Sequence, residues 1–457
     1  MNDIKVNSSA MNDTKVNSSA LNLNRCAEFA IDYAKSKGMD QSEVSLQVGT
    51  GLSITARQQE LETIEKNNDT QIVVSVFKDN KTGSASGADL SDKGIKDMID
   101  AAISIATYTG ADQCLGLADS ELMATNHDDL SLYHPWHKTE AELLDYAISC
   151  EAAAINADAR ITNSEGASVS SYSGDAVYAN SHGFLSYSKG SQHSVSCSVI
   201  GAQNDSMQRD YWYDSNRNPS GLDSAENIGR VAAQRTLARL GARKISSTQA
   251  PVLFEPSVAK SLISHLINSI KGGSIYKKAS FMLDKVGESI LPDFISLSEN
   301  PHVMGAAGSA RHDSEGVATP EYRAIVESGV LNNYVLASYT ARKLGLQTTA
   351  NAGGVRNLRI SNTGQSFEQL LKELNTGLLV TELIGSGINM VTGDYSRGAA
   401  GFWVENGEIQ HPVEEITIAG NLLDMYQNIV AVGSDVDTRG NTHCGSILLE
   451  QLTIAGN

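Results

Sequence analysis

Between residues 161 and 203 the chain reads ITNSEGASVSSYSGDAVYANSHGFLSYSKGSQHSVSCSVIGAQ, and this stretch constrains the fold more than any other. Ser, Gly, Tyr and Val alternate along it with frequent turn residues. A period of two places successive side chains on opposite faces of a pleated surface. The stretch therefore predicts several antiparallel strands. Upstream, EVSLQVGTGLSITARQQ and TQIVVSVFKDNKTGSASG alternate in the same way around an Asn-Lys-Thr-Gly turn, which extends the expectation to a meander.

Helical segments flank these strands. From Leu21 to Gly38, Leu23, Cys26, Phe29, Ala30, Tyr33 and Ala34 fall on one side of a helix. Ser91 is a candidate N-cap for a second helix, with Ile95, Met98, Ile99, Ala102 and Ile103 spaced for burial. A third helix is expected from about Glu140 to Ala157. The segment RDYWYDSNRNPSGLDSAE reads as a loop, and NIGRVAAQRTLARLG as a fourth helix. The first twenty residues are a tandem decapeptide, MNDIKVNSSA then MNDTKVNSSA, poor in apolar residues and read as a disordered tail.

ARKISSTQAPVLFEP marks entry into a further unit. The expected division is thus a tail over 1–20, an N-terminal and central α+β region over 21–245, and a β-rich unit over 246–457. That last unit opens with a helix at 257–270 and then turns mostly to strand and glycine turn. Asn406-Gly407 is a strong tight-turn signal. With 457 residues, 41% of them hydrophobic, the chain is long enough for a sizeable core.

A formal net charge of −18 argues against direct nucleic-acid binding and against anionic membranes. No apolar run has spanning length and no secretory leader is read at the start. The five scattered cysteines, with no CxxC pair, fit reduced thiols in the cytoplasm.

Familiar catalytic motifs are missing: there is no GxSxG, P-loop, GxGxxG after a strand, or HExxH. GSGINMVTG has the wrong glycine spacing for a dinucleotide loop. His134 and His137 flank Pro135-Trp136 and either share a surface metal or are simply solvated. His443 and Cys444 are neighbours, and on a strand they would point to opposite faces. Asp313 and Glu315 in DSEG read either as paired carboxylates or as a turn in which Asp makes local hydrogen bonds.

The C-terminal third carries a more specific signal. LVTELIGSGINMVTGDYSRGAAGFWVENGEIQHPVEEITIAGNL (379–422) resembles the signature of the TldD/PmbA family, and within it the PmbA or TldE branch. SGVLNNYVLASYTARKLGLQTTANAGG, DSEGVATP, GGSIYKKASFMLDKVG, DNKTGSASGADLS, RITNSEG and ANSHGF extend the resemblance over nearly everything from Leu21 to Asn457.

The resemblance implies an α+β protein, with helices packed on antiparallel sheets in the N-terminal region and a curved, half-barrel-like C-terminal domain. It implies a heterodimeric cytoplasmic metalloprotease of two related chains, acting on unfolded or flexible peptides held in an internal cleft. The family is also associated with maturation of a peptide antibiotic, degradation of an antitoxin and modulation of DNA gyrase. In the TldD-type chain a helix bearing HExxxH, with a more distant cysteine, holds zinc. Neutral imidazoles ligate the ion, and a carboxylate takes the proton of its water.

Aligned on the following glycines, those positions fall here on Ser264, His265 and Ser269, in SHLINSIKGGS. Both histidine ligands and the glutamate are replaced. This chain is therefore expected to bind no zinc and to be non-catalytic, with the metal on its TldD-type partner. Helical periodicity puts Val258, Ala259, Leu262, Ile263, Leu266, Ile267 and Ile270 on one stripe. His265 and Ser269 lie at its edge and Ser264 on the opposite, polar side. His265 is either a border residue or a contact to peptide or partner.

Asp394, Ser396 and Arg397 are read in a glycine-rich turn, where backbone approaches a ligand closely. The loop is expected to line the peptide cleft, with Arg397 donating to a peptide carbonyl or carboxylate. The competing reading is an internal Asp394–Arg397 pair. A stand-alone, homodimeric peptide-binding or regulatory protein remains the alternative function.

Overall fold

The computed structural model describes residues 8–456. Helix α1 (Ser8–Ser36) packs Leu23, Cys26, Ala27, Ala30 and Ala34 into a core. The tail expected to be disordered over 1–20 is instead helical from Ser8, because the decapeptide contains neither Gly nor Pro to stop propagation from the packed segment. Residues 1–7 of that tail lie outside the described residues.

Strands β1 (Gln41–Arg57), β2 (Glu60–Lys78) and β3 (Lys81–Gly87) form the expected meander. Ser91 caps α2 (Asp92–Tyr108) by accepting from the Gly94 amide. A capping box of Thr139 and Glu142 starts α3 (Glu140–Ile155). Then come β4 (Ile161–Asn180), β5 (Leu185–Gln203), β6 (Ser206–Asn216) and α4 (Ala225–Ala238). The expected several strands of 161–203 are two very long ones. Arg209–Asn216, read as loop, belongs to β6. As an edge strand β6 tolerates polar residues, since its ladder to β5 supplies the order.

These six strands form one antiparallel sheet in the order β3-β2-β1-β4-β5-β6. Alternation makes it two-faced. Val44, Leu46, Val74 and Val177 face α1 and α2, while Ile54, Ala56, Val169, Val195 and Val199 face α3 and α4 on the same side. The opposite side carries cross-strand hydroxyl pairs: Ser53–Ser170 at 3.0 Å, Thr55–Ser168 at 2.8 Å and Ser75–Ser84 at 3.0 Å. Gly229 lets α4 touch α3, because a Cβ there would lie 2.0 Å from the Cys150 carbonyl oxygen.

The remaining chain supplies β7 (Thr248–Phe254), α5 (Pro256–Ser269), α6 (Gly272–Tyr276), β8 (Leu297–Glu299), β9 (Arg323–Glu327), β10 (Val330–Leu331) and α7 (Ser338–Leu344). It continues with β11 (Leu358–Ile360), α8 (Phe367–Leu374), β12 (Gly377–Ile384), β13 (Asp394–Glu405), β14 (Glu408–Asn421), α9 (Leu422–Gln427), β15 (Ile429–Val432), β16 (Thr442–His443) and β17 (Ile447–Ala455). A short sheet runs β10-β9-β8-β11-β16. The larger one runs β14-β13-β12-β7-β17-β15, and β14 also pairs with β17. That extra pairing closes β7, β12, β13, β14 and β17 into a ring, so the expected curvature goes to closure.

Asn406 and Gly407, both at positive φ (54° and 74°), make the turn between β13 and β14. One face of the ring packs against α5 through Val252, Phe254, Leu378 and Val380, and the opposite face against α8 through Leu253 and Leu379. The fold is α+β. Among the described residues no helix is long and apolar enough to cross a membrane.

Candidate functional site

Helix α5 is the element on which the family resemblance places a zinc centre. Pro256 at its first turn favours initiation. Ala259, Leu262, Ile263, Leu266 and Ile267 bury one stripe, as periodicity predicts. Ser264 is exposed, and its Oγ donates to the Lys260 carbonyl at 3.0 Å. Ser269 is fully buried and donates to the Leu266 carbonyl at 2.6 Å. It therefore lies inside the core and not at the polar edge expected for it, because the loop after α6 covers that flank, with Ser280 Oγ donating to the Ser269 carbonyl. Of the three aligned positions one is exposed, one half-buried and one buried.

His265 is half-buried, with its ring edge-on to Tyr395 at a centroid distance of 6.3 Å and an angle of 65°. Burial first, and then the positive charge of Arg397, lower its pKa, so the imidazole is held neutral more readily than in water. Tyr395 is 1% exposed and its hydroxyl makes no hydrogen bond of good geometry within the described residues, although Arg397 approaches it. Burial pushes its pKa up to about 12, a rise that nearby Arg397 opposes.

Asp394, Ser396 and Arg397 prove to be strand residues of β13 and not members of a glycine-rich turn. The strand's period divides them. Asp394 and Ser396 are exposed on one face, whereas Arg397 shares the other with Tyr395. No Asp394–Arg397 pair forms; the Asp394 carboxylate accepts instead from Thr392 Oγ1 at 2.6 Å. Of the residues chosen from sequence, only His265 and Arg397 come together. Tyr395 was missed; reading GDYSRG as a strand would have placed it beside Arg397.

The first half of α5 holds a different cluster. Lys260 Nζ lies 2.8 Å from Asp437, which also takes a two-pronged contact from Arg439 at 2.9 Å on each oxygen. Arg439 stacks over Trp212 and Tyr213 of β6 at 4.1 and 4.5 Å, tying the loop between β15 and β16 to the first sheet. Although burial raises it, these two cations hold the Asp437 carboxyl down at about 2.

The remaining candidates are structural. Asp313 is buried and accepts from the amides of Glu315, Val317 and Ala352 at 2.9–3.0 Å, the local-turn role. Burial raises its pKa to about 6. Glu315 accepts from the Ser338 amide. His134 Nε2 contacts Ser131 O at 2.9 Å. Cys444 is fully buried, donates to the Gly445 carbonyl, and has its thiol pushed up to about 12 by burial.

The donor set on α5 does not fit zinc: one imidazole stands between a solvent-facing serine and a core serine. Among the described residues, no group of three His, Cys, Asp or Glu is placed to hold a metal ion. Elsewhere, a cleft of ≈ 650 Å³ opens on the hydroxyl-rich face of the first sheet, between Tyr172, Asp175 and Lys189 and the loops carrying Asp128, Arg311 and His312.

Comparison with known proteins agrees with this architecture. Residues 42–106, 133–240 and 247–456 match the first, central and C-terminal domains of the PmbA/TldA metallopeptidase family. The chain is 49% identical to the metalloprotease PmbA of Escherichia coli O157:H7, over 95% of this chain and 96% of that protein. A crystal structure from Bacteroides thetaiotaomicron, described as a candidate modulator of DNA gyrase, superposes with a TM-score of 0.89 at 28% identity, covering 95% of this chain and 98% of that one. TldE from Thermococcus kodakarensis shares the fold, with a TM-score of 0.80 at 21% identity over 94% of this chain and all of that one (100%). With three matched domains in order and near-complete coverage, the chain belongs to the PmbA/TldD metallopeptidase family, in its PmbA/TldE branch.

Proposed function

We propose that this chain is the PmbA/TldE-type subunit of a cytoplasmic metalloprotease that acts on unfolded or flexible peptides, and that it binds no zinc itself. The observation that carries the reading is the donor set of α5. Ser264 is turned to solvent and Ser269 is locked in the core, leaving His265 without a second ligand or a carboxylate base. Zinc hydrolysis needs at least three protein ligands and a base for the bound water. The metal and its chemistry therefore belong on a TldD-type partner, in a heterodimer.

In this reading the chain supplies walls for the peptide. His265 and Arg397 form its inner contact, and Asp394 and Ser396, on the outward face of β13, a second strip of polar groups. Five unpaired cysteines suit a reducing compartment.

The test is to purify the chain alone and co-expressed with a TldD-type partner, then measure bound zinc and cleavage of an unfolded peptide. The expected result is a complex with one zinc per pair and turnover only in the pair. One zinc equivalent and turnover in the lone chain would overturn the non-catalytic assignment. Failure to form a complex would favour a stand-alone, homodimeric peptide-binding protein.

A further inference from the structure

Seven buried side-chain polar atoms among the described residues have no hydrogen-bond partner within the chain, and three of them are His265 Nε2, Tyr395 Oη and Arg397 Nε. These three belong to one neighbourhood. Tyr395 and Arg397 are alternate residues on the same face of β13, and the His265 ring on α5 meets the Tyr395 ring edge-on. A buried polar atom without a partner costs about 1–3 kcal/mol, so such atoms are rare in native proteins and seldom adjacent.

Their chemistry has one sense. The guanidinium Nε–H only donates, the phenol donates readily, and a neutral imidazole can donate from Nε2. Three potential donors thus meet between α5 and β13, and beyond the phenol oxygen, which Arg397 itself approaches, the chain sets no acceptor against these three atoms. Arg397 forms no ion pair among the described residues, and the nearby Asp394 points to the opposite face and bonds Thr392. By contrast, Arg235, Arg239, Arg323, Arg342 and Arg439 each meet a carboxylate. A half-buried guanidinium beside two neutral donors offers a single positive charge. That matches a planar monoanion with several lone pairs; a phosphate dianion would leave a charge uncompensated.

We propose that His265, Tyr395 and Arg397 form a binding site for one carboxylate group. The group comes either from the C-terminus of a peptide or from a small free carboxylic acid. Asp394 and Ser396 take no part.

The full-length chain, isotopically labelled, is titrated with acetate at constant ionic strength while the Arg397 Nε–Hε and His265 ring resonances are followed. Saturable shifts are expected, with a dissociation constant of about 1–10 mM, a range suited to a four-atom ligand. Arg397→Gln is expected to weaken binding by about tenfold or more, and Tyr395→Phe, which keeps the ring and the packing, by about threefold to tenfold. Neutral acetamide should give no saturable shift. The proposal is overturned by a response no larger than that to chloride, by an equal response to acetamide, by unchanged binding in both variants, or by a crystal grown in acetate that shows ordered water alone at the three atoms. N-acetylglycylglycine separates the two sources: tighter binding than acetate assigns a peptide C-terminus, and equal or weaker binding a free acid. No partner chain is present in this titration, so its failure is distinct from failure of the subunit assignment.

Discussion

The two halves of helix α5 differ in how their charges are answered. Near its start, Lys260, Asp437 and Arg439 satisfy one another, and Arg439 reaches the aromatic rings of β6. One turn later, His265 faces Tyr395 and Arg397, and three polar atoms go without partners. Both clusters lie between the same helix and segments brought from afar, a loop in one case and β13 in the other. The contrast separates a fastening, whose groups are saturated by the fold, from a receptor, whose groups are held open by it. Folding alone selects for saturation, since an unpaired buried group is a net cost.

Substitutions at the two ends break or sharpen that contrast. The largest effect is expected from Asp437→Ala, which removes the carboxylate shared by two partly buried cations and should cost about 3–5 kcal/mol in urea unfolding. A loss under 1 kcal/mol would show that the fastening is solvated and remove the distinction. Next comes pH. The folded Asp437 titrates at about 2 against an ordinary 3.8, so its stabilisation is present above about pH 4 and is lost as pH falls through 2. The lost part is about 2 kcal/mol. Asp437→Asn should flatten this acid limb in stability measured against pH.

At the open end, Arg397→Met should alter stability by less than about 1 kcal/mol, or raise it, because an unpaired guanidinium is replaced by an apolar side chain of similar reach. A loss above 2 kcal/mol would reveal a partner within the fold. The smallest effect belongs to Tyr395→Phe, expected within about 0.5 kcal/mol since the hydroxyl has nothing to lose. With Arg397 removed, the His265 titration midpoint should also move upward by NMR, because one of the two causes that depress it is gone.

Much of the fold was legible in the residues. The Ser91 cap and the Asn406-Gly407 turn act over a few residues, and their chemistry is local. The apolar stripe of α5 was equally readable. The misreading of GDYSRGAAG has a physical cause. Its glycines resemble a turn, yet Gly401 is required by strand contact: a Cβ there would lie 1.9 Å from the Leu379 carbonyl oxygen, at a bulge in the β12–β13 pairing. Glycine in a tightly curved, closed sheet looks like glycine in a loop. With the strand mistaken for a turn, its alternation was lost, and with it Tyr395.

The sequence by itself determined the helices and their buried faces, the alternation that makes strands, and the family. Only the tertiary structure decided that His265 would face Tyr395 and Arg397, that Asp394 and Ser396 would turn away, and that Lys260 would be matched by Asp437. The first set depends on periodicities of two or 3.6 residues, carried by any short stretch of chain. The second depends on sheet register and ring closure, where a shift of one residue exchanges every side chain between faces, and no local pattern records that choice.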